Sequence, residues 1–361
     1  MPKPMRPKER VLTAVAHQEP DRVPVNYYGN EGINRRLRER FGGKDILEAL
    51  EVDFRHVGAP YTGPRIHSDP GNGVVCDEWG IRRRWVEHPA GGYWDFCEWP
   101  LATATADEIE SWPLPNPDHF DYSAVSAACD RCRDYCVVAG GAGWPDIING
   151  CGMLRTMEQV LVDLITDDEA GLRLIKRRAS ILLAVAERTL DAGRGKIDML
   201  ALGEDLGTQR GQTVSLELFR KHIRPWIQKF VDLAKAYGIP CMIHSCGSSS
   251  WAFDDFIEMG IQVVETLQPE AANMAPEFLK SRYGDRLAFH GCISTAGPLA
   301  YGTAEDVRKN VREVLDVMMP GGGYILAPTH CIQDNSPTEN VVAMYDEARR
   351  SGVYPKMWSL R

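Results

Sequence analysis

No run of apolar residues in this 361-residue chain approaches the roughly 20 that a membrane-spanning helix needs. A basic excess is missing as well. Lys and Arg number 41 against 50 Asp and Glu, a net charge of −9, whereas a nucleic-acid-binding face carries surplus cations. The opening MPKPMRPKERVLTAVAHQEP has no apolar signal core and no small-residue cleavage site. Membrane and nucleic-acid partners are therefore not expected, and a cytoplasmic enzyme is. The ten cysteines do not read as a disulfide framework, a device of small secreted domains, and most are expected as buried thiols. Internal repeats and low-complexity linkers are also lacking, so residues 1–361 are expected to form one domain.

Short apolar or β-branched runs bounded by Gly, Pro or polar clusters predict strands at residues 22–28, 135–140, 196–203, 240–246, 262–268, 287–293 and 323–330. Amphipathic segments lie at 157–193, 218–238, 250–260 and 304–319, with Thr303 as an N-cap, Gly238 as a stop and Pro225 as a kink. Alternation of strand and helix means parallel strands joined by crossover helices. The number of units predicts an α/β fold, a (β/α)8 TIM barrel. Residues 65–120 break the rhythm, and their alternating aromatics and Gly-rich turns predict an inserted antiparallel hairpin. Gly321, Gly322 and Gly323 precede a strand instead of following one, which suits a tight turn and not a phosphate loop. Cys129, Cys132 and Cys136 are spaced as one helical stripe, without the order of an iron–sulfur ligand run, and are expected in the core.

Active sites of such barrels lie at the C-terminal strand ends. There the sequence places Glu204 and Asp205, then His244 and Cys246, then Glu265 and Gln268, then His290, and last His330 and Cys331. On an extended strand, His244 and Cys246 face the same side. Imidazole nitrogen and thiolate sulfur there can share one ion at about 2.0–2.1 and 2.3 Å, with a third ligand from His330 or Cys331. The plainer alternative is a hydrogen-bonded histidine beside a buried thiol. Tyr27, Tyr28, Asn30 and Glu31 follow the first predicted strand, and Gln209 follows Asp205 in the next loop. Of these, Tyr28, Asn30 and Gln209 join Gln268 and His290 as candidate substrate contacts.

Five stretches carry a family resemblance: KERVLTAVAHQEPDRVPV, ALGEDLGTQRGQTVSLELFRKHIRPW, GIPCMIHSCGS, RLAFHGCIST and PGGGYILAPTHCIQDNSPTENVVAMYDEA. Together the chain resembles the uroporphyrinogen decarboxylase superfamily over most of its length, which implies the same (β/α)8 barrel. Porphyrin-precursor decarboxylases hold their many-carboxylate substrate with an arginine-rich early motif. Here YGNEGINRRLRERFGG places Arg35, Arg36, Arg38 and Arg40 on a helix instead. The resemblance is therefore to the corrinoid-dependent methyltransferase branch, whose zinc members use a His-x-Cys pair and a distant Cys. His244 and Cys246 match the pair. His330, with Cys331 beside it, stands at the distant position.

What the resemblance implies is methyl transfer between a small methylated ether, amine or thiol and a corrinoid (cobalamin) carried by a partner protein. Zinc would act as Lewis acid, and Glu204 and Asp205 would donate a proton or orient the substrate. The aromatic insertion (Trp79, Trp85, Tyr93, Trp94, Trp99) is expected as a docking rim for that partner or as a homodimer interface. Two other readings stand beside this one. They are a metal-free decarboxylase of a carboxylated, uroporphyrinogen-like substrate using Asp205, and a non-catalytic tetrapyrrole- or corrinoid-binding protein.

Overall fold

Runs buried on both faces become parallel strands, and runs buried on one face become antiparallel ones. The computed structural model describes residues 4–88 and 91–355. Its strands are β1 (Phe54–Val57), β2 (Val74–Cys76), β3 (Arg82–His88), β4 (Gly91–Phe96), β5 (Cys136–Pro145), β6 (Met199–Gly203), β7 (Cys241–Ser245), β8 (Val263–Thr266), β9 (Ala288–Ile293) and β10 (Tyr324–Pro328). Seven of them form one parallel sheet in the order β1-β5-β6-β7-β8-β9-β10. β6, β9 and β10 are buried at every residue. Helices such as Glu169–Ala192, Arg224–Ala236, Ala304–Met318 and Thr338–Ser351 connect or cover these strands. Among the described residues no helix is long and apolar enough to cross a membrane, and all ten cysteines are free.

The regular sheet has seven strands, not the eight expected. Residues 22–28 lie between β10 and β1 without becoming a strand, and only Val25 makes a parallel bridge, to Leu326. Asn26 N–H donates to the Leu326 carbonyl, Leu326 N–H to that of Pro24, and Asp53 N–H to that of Val25. Pro24 has no N–H to give. The Val25 N–H is taken by the Asp53 carboxylate at 2.8 Å, which ends the ladder on that side. Asp53 is fully buried and also accepts from Arg10 and Arg22. The first helix, Pro7–Val15, is tied through Arg10 to this carboxylate and to Asp21.

Other expectations meet local chemistry. Residues 157–193 split into Met157–Thr166 and Glu169–Ala192, because Asp167 turns left-handed (φ 56°) and Asp168 caps the second helix through the Gly171 N–H. Pro225 sits in the first turn of Arg224–Ala236, and the kink is taken up by a π-helical turn over Phe219–Ile223 just before it. Thr303 caps Ala304–Met318 in a reciprocal capping box with Asp306. Gly321, Gly322 and Gly323 all have positive φ, as the tight turn into β10 requires. The cysteine stripe is corrected. Cys129 lies in Ser123–Arg131 and Cys132 caps it, but Cys136 opens β5.

The insertion is a three-stranded antiparallel sheet, β2-β3-β4. Trp85 stands opposite Trp94 with ring centroids 5.7 Å apart. Trp85, Tyr93, Trp94 and Trp99 are exposed, whereas Trp79 is buried beside Arg178 and is not part of that rim.

Removing the Asp53 carboxylate leaves Arg10 and Arg22 short of a buried partner and the Val25 N–H without an acceptor. Asp53→Ala is expected to cost about 3 kcal/mol of unfolding free energy, read from urea denaturation. A loss below about 1 kcal/mol would contradict this account of the closure.

Candidate functional site

Parallel pairing in register sets a row of side chains across neighbouring strands. His244 of β7 is aligned with Glu265 of β8, and Glu265 with His290 of β9, so all three project from one face of the sheet. His244 Nδ1 lies 2.7 Å from Glu265 Oε1. That bond turns Nε2 toward Cys246 Sγ at 3.3 Å and Asp205 Oδ1 at 3.7 Å. Asp205 is itself held, its Oδ1 accepting the Cys246 N–H and its Oδ2 the Asn149 amide, each at 2.9 Å. The loops after β6 and β7 touch backbone to backbone. A Cβ on Gly247 (φ 69°) would collide with the Gly207 and Thr208 carbonyls, so this approach needs glycine.

The donor atoms of Asp205, His244 and Cys246 lie within 4.8 Å of one another, the one such group found among the described residues. An ion bound tetrahedrally at about 2.05 and 2.3 Å separates its nitrogen and sulfur by about 3.5 Å, close to the 3.3 Å seen. The charges agree with this. Burial pulls the His244 imidazole down, but Cys246 and Glu265 hold it well above its ordinary value, a setting that favours positive charge at Nε2. Burial pushes the Glu265 carboxyl up, yet the His244 hydrogen bond and the nearby His290 and His56 hold it at about 2. A histidine whose far nitrogen is bound by a carboxylate is the usual support of a metal-binding imidazole. The donor set fits zinc.

Behind this group, Tyr28 donates to Glu265 Oε2 at 3.4 Å and accepts from the Asn26 amide at 3.1 Å. Burial first, and the Glu265 charge second, keep its phenol protonated. His290 is buried with Nε2 against Asn26 Nδ2 at 3.0 Å, and burial lowers its pKa. His56 of β1 is a further imidazole near Glu265; its side chain is open to the cavity, and the protein packed around that cavity lowers its pKa.

The group opens into a cavity of about 740 Å³. Tyr28, Met153, Leu202, Met242 and Pro328 give it apolar wall, and Asp146, Asp205 and Glu265 give it carboxylates. No lysine or arginine lines it among the described residues. Burial pushes Asp146 up to about 7 against the pull of Arg178, with Asp205 raising it further.

The predicted residues divide. Asp205, Tyr28, His244, His330 and Cys331 line the cavity, and Cys246 adjoins it through His244. Glu204 is fully buried and faces away. Its carboxylate accepts the Ile147 and Ile148 N–H groups at 2.7 and 2.9 Å, capping the Ile147–Arg155 helix, and burial pushes it up to about 8. Asn30 caps the Glu31–Arg40 helix through the Ile33 N–H and donates to Gln333 and Asp334. Gln268 donates to Gln209 at 3.2 Å outside the cavity lining. His290 sits behind Glu265.

Neither His330 nor Cys331 joins the three-donor group. The His330 ring is 6.3 Å from that of His244, and Cys331 Sγ is turned toward the Ile332 carbonyl. β6, which leads into Asp205, pairs directly with β7, whereas β10 lies three places away. Among the polar residues of the cavity, sequence reasoning missed Asn34 and Thr266, His56 on the unrecognised β1, and Asp146 and Asn149, which follow β5 in PDIING.

The family model described as "Uroporphyrinogen decarboxylase (URO-D)" matches residues 100–351. A curated relative, the uroporphyrinogen decarboxylase of Thioalkalivibrio sulfidiphilus (strain HL-EbGR7), is 34% identical over 74 residues. That match takes in 20% of this chain and 20% of the relative, so the chain spans about a fifth of the curated relative it matches. A solved methyltransferase from Methanosarcina mazei superimposes with a TM-score of 0.65 at 16% identity, covering 96% of this chain and 99% of that one. At that identity the likeness is one of fold.

Glu204→Ala strips two buried helix-terminal N–H groups of their acceptor. It is expected to cost about 2–3 kcal/mol of stability, measured by urea unfolding. An unchanged midpoint would show that the carboxylate is not needed to build the site.

Proposed function

The chain belongs to the uroporphyrinogen decarboxylase family, and on that premise we propose that it is a methyltransferase. It moves a methyl group between a small methylated ether, amine or thiol and the corrinoid of a partner protein. His244, Cys246 and Asp205 hold zinc, with Asp205 in the place expected for His330 or Cys331. The observation that carries this reading is the convergence of three donors backed by the Glu265 carboxylate. The fold shared with a solved methyltransferase supports it.

Zinc bound there supplies a Lewis acid that stabilises a departing heteroatom or keeps a thiol ionised. The chain's own residues do the rest. Glu265 fixes the His244 ring so that Nε2 faces the cavity side. Asn149 and the Cys246 N–H fix Asp205. Tyr28, protonated and tied to Glu265 and Asn26, presents a hydroxyl at the cavity wall. Tyr27, Tyr28 and Met153 surround a small methylated substrate with aromatic and thioether surface. The exposed Trp85, Tyr93, Trp94 and Trp99 of the insertion form the rim on which a corrinoid protein docks.

The decarboxylase alternative is disfavoured by the cavity itself. A substrate bearing many carboxylates needs guanidinium or ammonium partners, and the lining offers carboxylates instead.

Purified protein is expected to bind about one zinc per chain. His244→Ala and Cys246→Ala abolish that binding, and Glu265→Gln weakens it about 10- to 100-fold. Metal analysis and competition with a chromophoric chelator provide the readout, and a chain that takes up no zinc contradicts the reading. Zinc-loaded protein mixed with reduced cobalamin and methylated ethers, amines and thiols is expected to form methylcobalamin, seen in its absorption spectrum. Release of carbon dioxide from uroporphyrinogen without methyl transfer would favour the decarboxylase.

A further inference from the structure

Asp146 is a residue whose backbone is fixed on every side and whose side chain is not. It is left-handed at φ 45°, a conformation that costs a residue other than glycine and persists only where its surroundings impose it. Its N–H donates to the Gly203 carbonyl at 3.0 Å. Its carbonyl and that of Pro145 accept from Arg178 Nη1. The next two N–H groups are held by Glu204. Gly150 leaves room for this brace, since a Cβ there would strike the Arg178 guanidinium. Asp146 occupies the N-cap position of Ile147–Arg155, where aspartate ordinarily caps, yet it forms no full capping bond: the Asn149 N–H only lowers its pKa, Glu204 holds the two N–H groups before that one, and Oδ1 is left over. Asp146 is 7% exposed, lines the cavity, and its Oδ1 has no hydrogen-bond partner. A buried polar atom left unmatched is destabilising, so a turn built to keep it so points to a ligand.

We infer that Asp146 is a specificity residue: its Oδ1 accepts a hydrogen bond from a hydroxyl or ammonium group of the molecule that fills the cavity. The inference rests on the proposal that this cavity is the reaction site, and not on the metal. It selects, among methylated compounds, those carrying an O–H or N–H donor, and it disfavours those carrying a carboxylate, which would meet Asp146, Asp205 and Glu265 with no lysine or arginine on the lining.

Four probes of one skeleton test it: 2-methoxyethanol, 2-methoxyethylamine, 1,2-dimethoxyethane and methoxyacetate, each added at equal concentration to the full-length protein. Binding is read as a rise in melting temperature. The hydroxyl or ammonium probe is expected to bind about tenfold more tightly than the other two, and whichever is stronger identifies the donor. Asp146→Gly, which suits the left-handed turn, should level the responses to 2-methoxyethanol and 1,2-dimethoxyethane, the pair that differs only in the donor. Asp146→Asn should keep the response to the hydroxyl and lose that to the ammonium. Equal responses in the unmodified protein, zero included, or a preference within that pair that survives Asp146→Gly, overturn the inference. So does a ligand-free Asp146→Asn protein that melts many degrees lower, since that outcome assigns the carboxyl to structure. Both variants should bind zinc as the parent does. Protein that discriminates the probes but takes up no zinc would break the metal proposal alone.

Discussion

The hydrogen bond between His244 and Glu265 is the constraint on which the rest of the site depends. Without it the imidazole is free to rotate, and Nε2 no longer faces the Cys246 sulfur and the Asp205 carboxylate that the neighbouring loops hold in place. The bond exists because β7 and β8 pair in register at that level, and because β9 brings His290 to the other side of the same carboxylate. Burying a carboxylate is costly unless charge and hydrogen bonds compensate. The His244 imidazole and the Tyr28 hydroxyl do so here, and Glu265 stays ionised.

Two adjacent acids show how the strand end sorts its residues. Glu204 and Asp205 follow β6, and consecutive side chains on extended backbone point to opposite sides. Asp205 turns into the cavity beside Cys246. Glu204 turns out to the Ile147–Arg155 helix, where its carboxylate meets two N–H groups at the positive end of that helix. The outward acid thereby holds the loop from which Asn149 reaches the inward one and Asp146 enters the cavity. A fold shared across a family accommodates different substrates through such loop residues. This cavity, lined by carboxylates and imidazoles, is suited to neutral or cationic molecules and poorly to polyanions.

Much of this was readable in the sequence where chemistry is local. The His-x-Cys spacing placed two donors on one side of a strand, Thr303 and Asp306 announced their helix, and apolar runs located six of the parallel strands. What escaped depends on neighbours that are distant in sequence. The pairing of β6 with β7 brings the Asp205 carboxylate to 3.7 Å from His244 Nε2, with the His330 ring 6.3 Å from that of His244, and a linear reading of strand ends does not contain it. β1 is four residues long and carries Arg55 and His56, so it lacks an apolar signature. Residues 22–28 have the composition of a strand, but Pro24 and the side chain of Asp53 take away its ladder. Trp79 packs in the hydrophobic core with Arg178 over its ring, and Asp146 takes its conformation from Gly203, Arg178 and Glu204 acting together.

Zinc K-edge X-ray absorption on the zinc-loaded protein tests the central claim most directly. The account predicts a shell with one sulfur at about 2.3 Å and nitrogen or oxygen neighbours at about 2.0–2.1 Å, the sulfur vanishing in Cys246→Ser. A shell of light atoms alone in the unmodified protein, or a sulfur that persists in Cys246→Ser, would contradict it.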